Sequence, residues 1–282
     1  MRTVVSLCAV VWAALVLAQG GSPLTESAYT LAPEKVSLTV DGRFWDGGGN
    51  WSASALLRLG VDERTEIDLS YVDFDIEGDD PIGKGETRAV RASDYSAVGV
   101  RMKVHLWDTH SPAVALLLGA DLPTSRRRAV NTVTGGYGMG DGAIGVVGLA
   151  FQWGDNEGRW RWILQPQLTM FDDEWRTNTG ERIKGFGNVL GLSLGVRYRV
   201  DSCWTAFGDV TAILSGDNSI DEDTGQPDDE VVWAAGITWR KPDSRWQATI
   251  FATDSSGASP ATAVLATPDG DAAFGVGFSV DF

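Results

Sequence analysis

The sequence predicts an all-β fold: a membrane-spanning antiparallel up-and-down β-barrel of about 12 strands, residues 36–282, after a cleaved signal peptide. Three observations carry it. Most of the chain alternates apolar and polar residues at period two, the mark of strands with one apolar and one polar face. Past the N-terminus no segment is apolar enough for a transmembrane helix, and the mean hydropathy is −0.07. Connections between the alternating segments run short then long, and aromatic residues gather at the short ones. A soluble β-sandwich is the alternative, but it has no reason to alternate loop lengths or to collect tryptophans at one set of turns.

Residues 1–18 read as a secretory signal. Arg2 supplies the positive start, Val4 to Leu17 is apolar, and Val16-Leu17-Ala18 offers a cleavage site before Gln19. The run is shorter than the roughly 20 residues that a spanning helix needs. Cys8 leaves with it, so Cys203 remains as a single cysteine and an intramolecular disulfide is excluded. Without Arg2 the chain holds 22 Lys+Arg against 38 Asp+Glu, a net charge near −16. That argues against nucleic acid as a partner and against a basic membrane-surface helix.

Residues 19–35 are expected to form an irregular leader, since Pro23 and Pro33 discourage regular structure. Strand one sets Val36, Leu38 and Val40 against Ser37, Thr39 and Asp41, and Gly47 to Asn50 turns the chain. Strand two sets Trp51, Ala53, Ala55, Leu57 and Leu59 against Ser52, Ser54 and Arg58. After a turn at Asp62-Glu63, strand three points Ile67, Leu69 and Tyr71 outward and Glu66, Asp68 and Ser70 inward. A polar loop, residues 76–90, leads to strand four, with Val98, Val100, Met102 and Val104 opposite Arg101, Lys103 and His105.

Strand five carries Val114, Leu116, Leu118 and Leu122 on one face, followed by a long loop with Arg126-Arg127-Arg128. Strand six has Val147, Leu149, Phe151 and Trp153 outward. In strand seven, Trp160, Trp162, Leu164 and Leu168 oppose Arg159, Arg161, Gln165 and Gln167. Leu190, Leu192, Leu194, Val196 and Tyr198 of strand eight oppose Gly191, Ser193, Gly195, Arg197 and Arg199. Strands nine (Trp204 to Leu214), ten (Val231 to Trp239) and eleven (Trp246 to Ala252) follow, with an acidic loop at 215–229. A loop at 254–271 reaches the last strand, where Phe274, Val276, Phe278, Val280 and Phe282 alternate with small or polar residues.

That terminal strand resembles the assembly signal of bacterial outer-membrane β-barrels. The resemblance implies a bacterial outer-membrane location, contact with its lipid, and docking to the barrel-assembly machinery through Phe274, Val276, Phe278, Val280 and Phe282; Arg126-Arg127-Arg128 on a long loop is a candidate for charge-assisted contact with lipopolysaccharide phosphates, with an ordinary solvated loop as the alternative. Closure of the last strand on the first is expected, because lipid offers an open edge no hydrogen-bond partners.

The same alternation places a set of lumen residues near the short turns: Arg58, Glu66, Asp68, Arg101, Lys103, His105, Arg159, Arg161, Arg197, Arg199, Arg240 and Arg245. Rings of fixed charge filter ions, so these residues are candidates for an anion-favouring selectivity ring. Alternatively they form a salt-bridge network that plugs the barrel, for at 12 strands a lumen lies between filled and open. Asp221-x-Asp223-x-Gly225 has oxygen ligands at a spacing a hard cation could use, but it lacks the distal bidentate Glu, and a solvated acidic loop is the favoured reading. The histidines, His105 and His110, lie near short turns, and zinc-ligand spacing and phosphate-loop motifs do not occur. No enzymatic activity, metal or cofactor is expected.

Ala120-Asp121-Leu122-Pro123-Thr124-Ser125 with Arg126-Arg127-Arg128, then Gly136-Tyr137-Gly138-Met139-Gly140-Asp141-Gly142, resembles a strand-loop-strand segment of the outer-membrane transporters called MetA-pathway-of-phenol-degradation proteins. Tyr29 to Val40 and Arg58 to Tyr71 resemble that family's first strands, and Ser125 stands where the family usually has Gly. The resemblance implies a barrel that moves small, aromatic or hydrophobic molecules. The expected function is thus a passive channel or transporter for small-molecule solutes; the alternative is a closed, non-transporting barrel with a structural, adhesive or lipid-binding role.

Overall fold

The computed structural model describes residues 23–45, 51–75, 89–90, 95–107, 111–124, 130–131, 137–138, 142–154, 158–176, 182–220, 227–255, 257, 259–266 and 272–282. The expected signal peptide, Arg126-Arg127-Arg128 and the Asp221-x-Asp223-x-Gly225 spacing lie outside these residues. Twelve strands form a closed antiparallel barrel. In chain order they are β1 (Val36–Trp45), β2 (Trp51–Gly60), β3 (Thr65–Asp75), β4 (Tyr95–Trp107), β5 (Ala113–Pro123) and β6 (Ile144–Trp153). The second half adds β7 (Trp160–Met170), β8 (Asn188–Arg199), β9 (Trp204–Ser215), β10 (Val232–Trp239), β11 (Trp246–Thr253) and β12 (Ala273–Asp281). Each strand pairs with its sequence neighbours, and β12 closes on β1 from Ser37↔Asp281 to Trp45↔Ala273.

Expected parity and observed parity agree. Large apolar residues cover the outside: Val100 is 50% exposed, Leu122 55%, Ile250 50% and Phe274 56%. In water this surface would be costly; against lipid it is the expected face of a spanning barrel. At the short turns Trp160 lies 4.4 Å from Tyr198 and 6.3 Å from Trp162, ring centre to ring centre, within an outward aromatic cluster. Two outward positions depart from simple exposure. Val114 and Val280 are buried, and Val280 pairs with Leu38 on one side and Trp246 on the other. Beyond the long-loop rim, Glu174–Arg176, Arg182–Gly185 and Tyr137–Gly138 form a small three-stranded sheet.

Two segments expected to be plain connections instead enter the barrel. The leader, residues 23–34, runs through the short-turn end of the lumen, with Leu24, Thr25 and Ala28 buried. From the other end, the connection after β11 folds inward and buries Ala261, Val264 and Leu265 against Val72, Ile144, Val146 and Val189 of the barrel wall. The inner face is therefore apolar where that loop packs and polar where the leader runs. Glycine makes room at two close approaches. A Cβ on Gly195 would collide with the Thr25 hydroxyl and with Asp209, and one on Gly60 with the Ala32 carbonyl.

Candidate functional site

The lumen is the candidate site, and alternation on β2, β3 and β4 builds its charged wall. Cross-strand register sets Arg58 opposite Asp68, Asp68 opposite Arg101, and Glu66 opposite Lys103. Opposite charges thus face each other along the ladder, the arrangement that stabilises adjacent strands. Lys103 Nζ lies 2.7 Å from Glu66, and Arg101 donates to Asp68 from both Nε and Nη2. On the far wall Arg197 Nη1 donates to Asp209 Oδ1 at 2.6 Å.

The leader completes this network. Glu26 accepts from Arg101 Nη2 at 2.9 Å and lies 3.6 Å from Arg58. Burial opposes its ionisation, but Arg101, Arg58 and Lys103 together outweigh burial and hold the carboxyl well below the ordinary carboxylate range. Leader backbone groups are bonded too: Glu26 N donates to Gln165 Oε1 (2.9 Å), Ala28 N to Gln152 Oε1 (3.2 Å) and Leu31 N to Glu66 Oε2 (2.7 Å). Ala28 O accepts from His105 Nδ1 at 2.9 Å, and the His105 ring stacks on Tyr29. Thr25 is held by Arg197 Nη2 (2.6 Å) and donates to Asp209 (3.0 Å).

The inserted loop has its own clamps. Arg43 Nη1 donates to Ser255 O at 3.1 Å and to Gly257 O, Gln167 Nε2 donates to Pro260 O at 3.0 Å, and Ser259 donates to Asp121. Asn218 holds the loop's far end, donating to Val264 O (2.8 Å) and accepting from Ala266 N through its backbone carbonyl (3.1 Å). Asp254, where the loop leaves β11, accepts from Trp233 N at 2.6 Å. Burial pushes its carboxyl up to about 6, against that hydrogen bond and with help from nearby Glu230.

Between the two insertions the described residues leave a pocket of ≈ 60 Å³, lined in part by Pro23, Glu26, Ser259 and Pro260. Toward the short turns the lumen widens to a cavity of ≈ 800 Å³. The first is far below, and the second within, the roughly 300–1,000 Å³ that small-molecule sites occupy.

Of the sequence-derived lumen residues, Glu66, Asp68, Arg101, Lys103, His105 and Arg197 are buried inside, and Arg58, Arg161, Arg199 and Arg240 line the wider cavity. Two are corrected. Arg159 precedes β7, and its guanidinium lies over the Tyr198 ring, 5.2 Å from the centroid, among the outward aromatics. Arg245 is exposed in the turn before β11. Strand parity does not extend into turn residues, where the backbone leaves the pleat. The basic residues do not form an uncompensated ring either, because Glu26, Glu66, Asp68 and Asp209 sit among them. Sequence reasoning missed Glu26, Asp209, Arg43, Asp121 and the two inserted segments. Inward parity on β1, β5 and β9 would have found Arg43, Asp121 and Asp209.

The sequence matches no protein-family model and no curated protein. Solved structures do resemble the chain. The NanC porin superposes with a TM-score of 0.55 at 10% identity, over 86% of this chain and 98% of that one. An outer-membrane channel from Pseudomonas putida F1 superposes with a TM-score of 0.55 at 12% identity, over 92% of this chain and all of that one (100%). The fold is that of outer-membrane porin-like barrels. At these identities the likeness speaks to architecture alone.

Proposed function

We propose that this chain is a gated outer-membrane channel for small solutes, closed by its own leader and by the loop after β11. One observation carries this reading. Side-chain clamps and packing hold both insertions along their length, and among the described residues their backbone bonds to wall strands lie at their ends, Glu34 N to Gly60 O and Asp254 N to Trp233 O, so the segments between can move while the barrel ladder stays closed. The polar wall that the leader covers, and the ≈ 800 Å³ cavity beside it, supply the rest of a path. Architecture shared with the Pseudomonas putida channel supports the same reading, as does the resemblance to the phenol-degradation transporters on Ala120 to Ser125 and Arg58 to Tyr71. On that resemblance the solutes are small and aromatic or hydrophobic, and the protein is no enzyme.

The lumen charges belong to this proposal as the latch of the gate rather than as an open filter. Export by residues 1–18, insertion through the Phe274 to Phe282 strand, and residence in lipopolysaccharide-bearing membrane are parts of it as well. A second reading, a closed barrel with a structural or lipid-binding role, is favoured by the number of bonds that hold the leader. Planar-bilayer conductance separates them. Refolded mature protein should open rarely, and protein lacking residues 19–34 should conduct steadily. Silence from both, with each shown to be folded, overturns the channel.

A further inference from the structure

Leu24 of the leader sits in a cradle that the wall and the inserted loop build together. Its side chain belongs to one buried apolar cluster with Phe207 of β9, Val232 and Ala234 of β10, Phe251 of β11, and Ala263 and Ala266 of the loop. Glycine makes room for the two aromatic rings. A Cβ on Gly236 of β10 would collide with the Phe207 ring and with Phe251, and one on Gly275 of β12 with the Phe251 ring. The loop's peptide groups here are bonded elsewhere. Ala263 N donates to Ser259 O (2.8 Å), Ala263 O accepts from Ser255 Oγ (2.9 Å), and Ala266 N donates to Asn218 O (3.1 Å). What the loop offers Leu24 is therefore apolar.

The cradle also stands on the proposed route. Phe207 lines the ≈ 800 Å³ cavity and Phe251 the ≈ 60 Å³ pocket, so the cradle borders both spaces. Two arginines flank it, and both are engaged. Arg197 lies over the Phe207 ring, 5.4 Å from the centroid, while it bonds Asp209 and Thr25. Arg43 lies 5.9 Å from the Phe251 centroid while it donates to Ser255 O and Gly257 O. Each guanidinium supports a ring and already has oxygen partners, so the cradle suits an uncharged body. Apolar space of the size that a leucine side chain vacates stays dry and takes up benzene.

We infer that this cradle is a binding site for a small uncharged aromatic or hydrocarbon molecule, and that Leu24 is its built-in occupant in the closed barrel. The site rests on the proposed channel for the solute's route, but not for the binding itself. Solute and Leu24 compete for one space, so the fraction of barrels with Leu24 withdrawn sets the apparent affinity.

Fluorobenzene is the probe, followed by fluorine NMR with refolded full-length mature protein in detergent and empty micelles as the blank. Wild-type protein should bind it weakly and saturably, and binding should expose residues 23–34 to limited proteolysis. Leu24→Ala, which shortens the occupant, should bind about tenfold tighter. Ala234→Phe fills the cradle from the wall and Ala263→Leu fills it from the loop; each should abolish saturable binding, with heat-modifiable gel mobility checking that the barrel is folded. Charged fluorobenzoate should show no saturable binding to any of these proteins. No saturable fluorobenzene binding by wild type, equal affinity in Leu24→Ala, or full affinity in a folded filled variant each overturns the site. Bilayer conductance is read alongside, with protein lacking residues 19–34. Saturable fluorobenzene binding by barrels that stay silent removes the channel and keeps the site. Steady conductance of the shortened protein, without fluorobenzene binding by wild type or Leu24→Ala, does the reverse.

Discussion

Glu26 of the leader reaches Arg101 of β4 at 2.9 Å, and through it joins the chain's N-terminal segment to a wall already paired with Asp68. Glu26 is thus the latch residue. Glu26→Gln leaves Arg101 and Arg58 with less compensation, and should loosen the leader at a cost on the order of 2 kcal/mol. Limited proteolysis should then cut within residues 23–34, and open probability should rise. A leader that stays protected in the variant would show that the backbone bonds to Gln152, Gln165 and Glu66 suffice.

Gly195 tests the same latch by shape alone. Its missing Cβ is the space that the Thr25 hydroxyl occupies, so Gly195→Val should expel the leader without removing any charge. Conductance should resemble that of the leader-deleted protein. Unchanged closure would mean that the leader can shift without leaving the lumen.

Lys103 and Glu66 form a fully buried pair, 2.7 Å apart. Lys103→Met strands a buried carboxylate and should destabilise the barrel by roughly 3–5 kcal/mol. The double variant Lys103→Met/Glu66→Gln should recover most of that loss, since the side-chain amide introduced by the second change is neutral and its oxygen can still accept from Leu31 N. Urea unfolding in lipid vesicles measures both. Full additivity of the two single effects would contradict a coupled pair.

pH acts on the two insertions with opposite sign. Asp254 has its carboxyl raised from 3.8 to about 6, so the inserted loop gains stability from protonation. That gain is complete below about pH 3.8 and is lost as pH rises through about 6. Glu26 is lowered from 4.5, so its contribution is present above that value and is lost only in stronger acid. From about pH 7.5 down to about pH 5 the loop should tighten while the leader stays latched, giving longer closures and greater amide protection of residues 261–266 once the intrinsic pH dependence of exchange is divided out. Asp254→Asn should remove the dependence; persistence of it in that variant would assign the effect elsewhere.

The barrel itself was legible because its signal is local. Period-two alternation told Ile67 from Asp68 and Leu194 from Arg197, and each fell on its expected face. Legibility failed where the pleat ends. Arg159 and Arg245 sit in turns, and their side chains follow the girdle aromatics or solvent rather than strand parity. Leader and loop carried no periodic signal, and their proline and small residues read as connection.

By itself, then, the sequence determined the number of strands, their faces and the closing pair, because a strand's two faces are written in adjacent residues. Only the tertiary structure decided what fills the lumen and which charge answers which. Glu26 and Arg101 are 75 positions apart, and Arg43 and Ser255 are 212 apart. Such partners meet because closing the barrel brings opposite walls within side-chain reach around whatever segment lies between them, and spacing along the chain does not encode that.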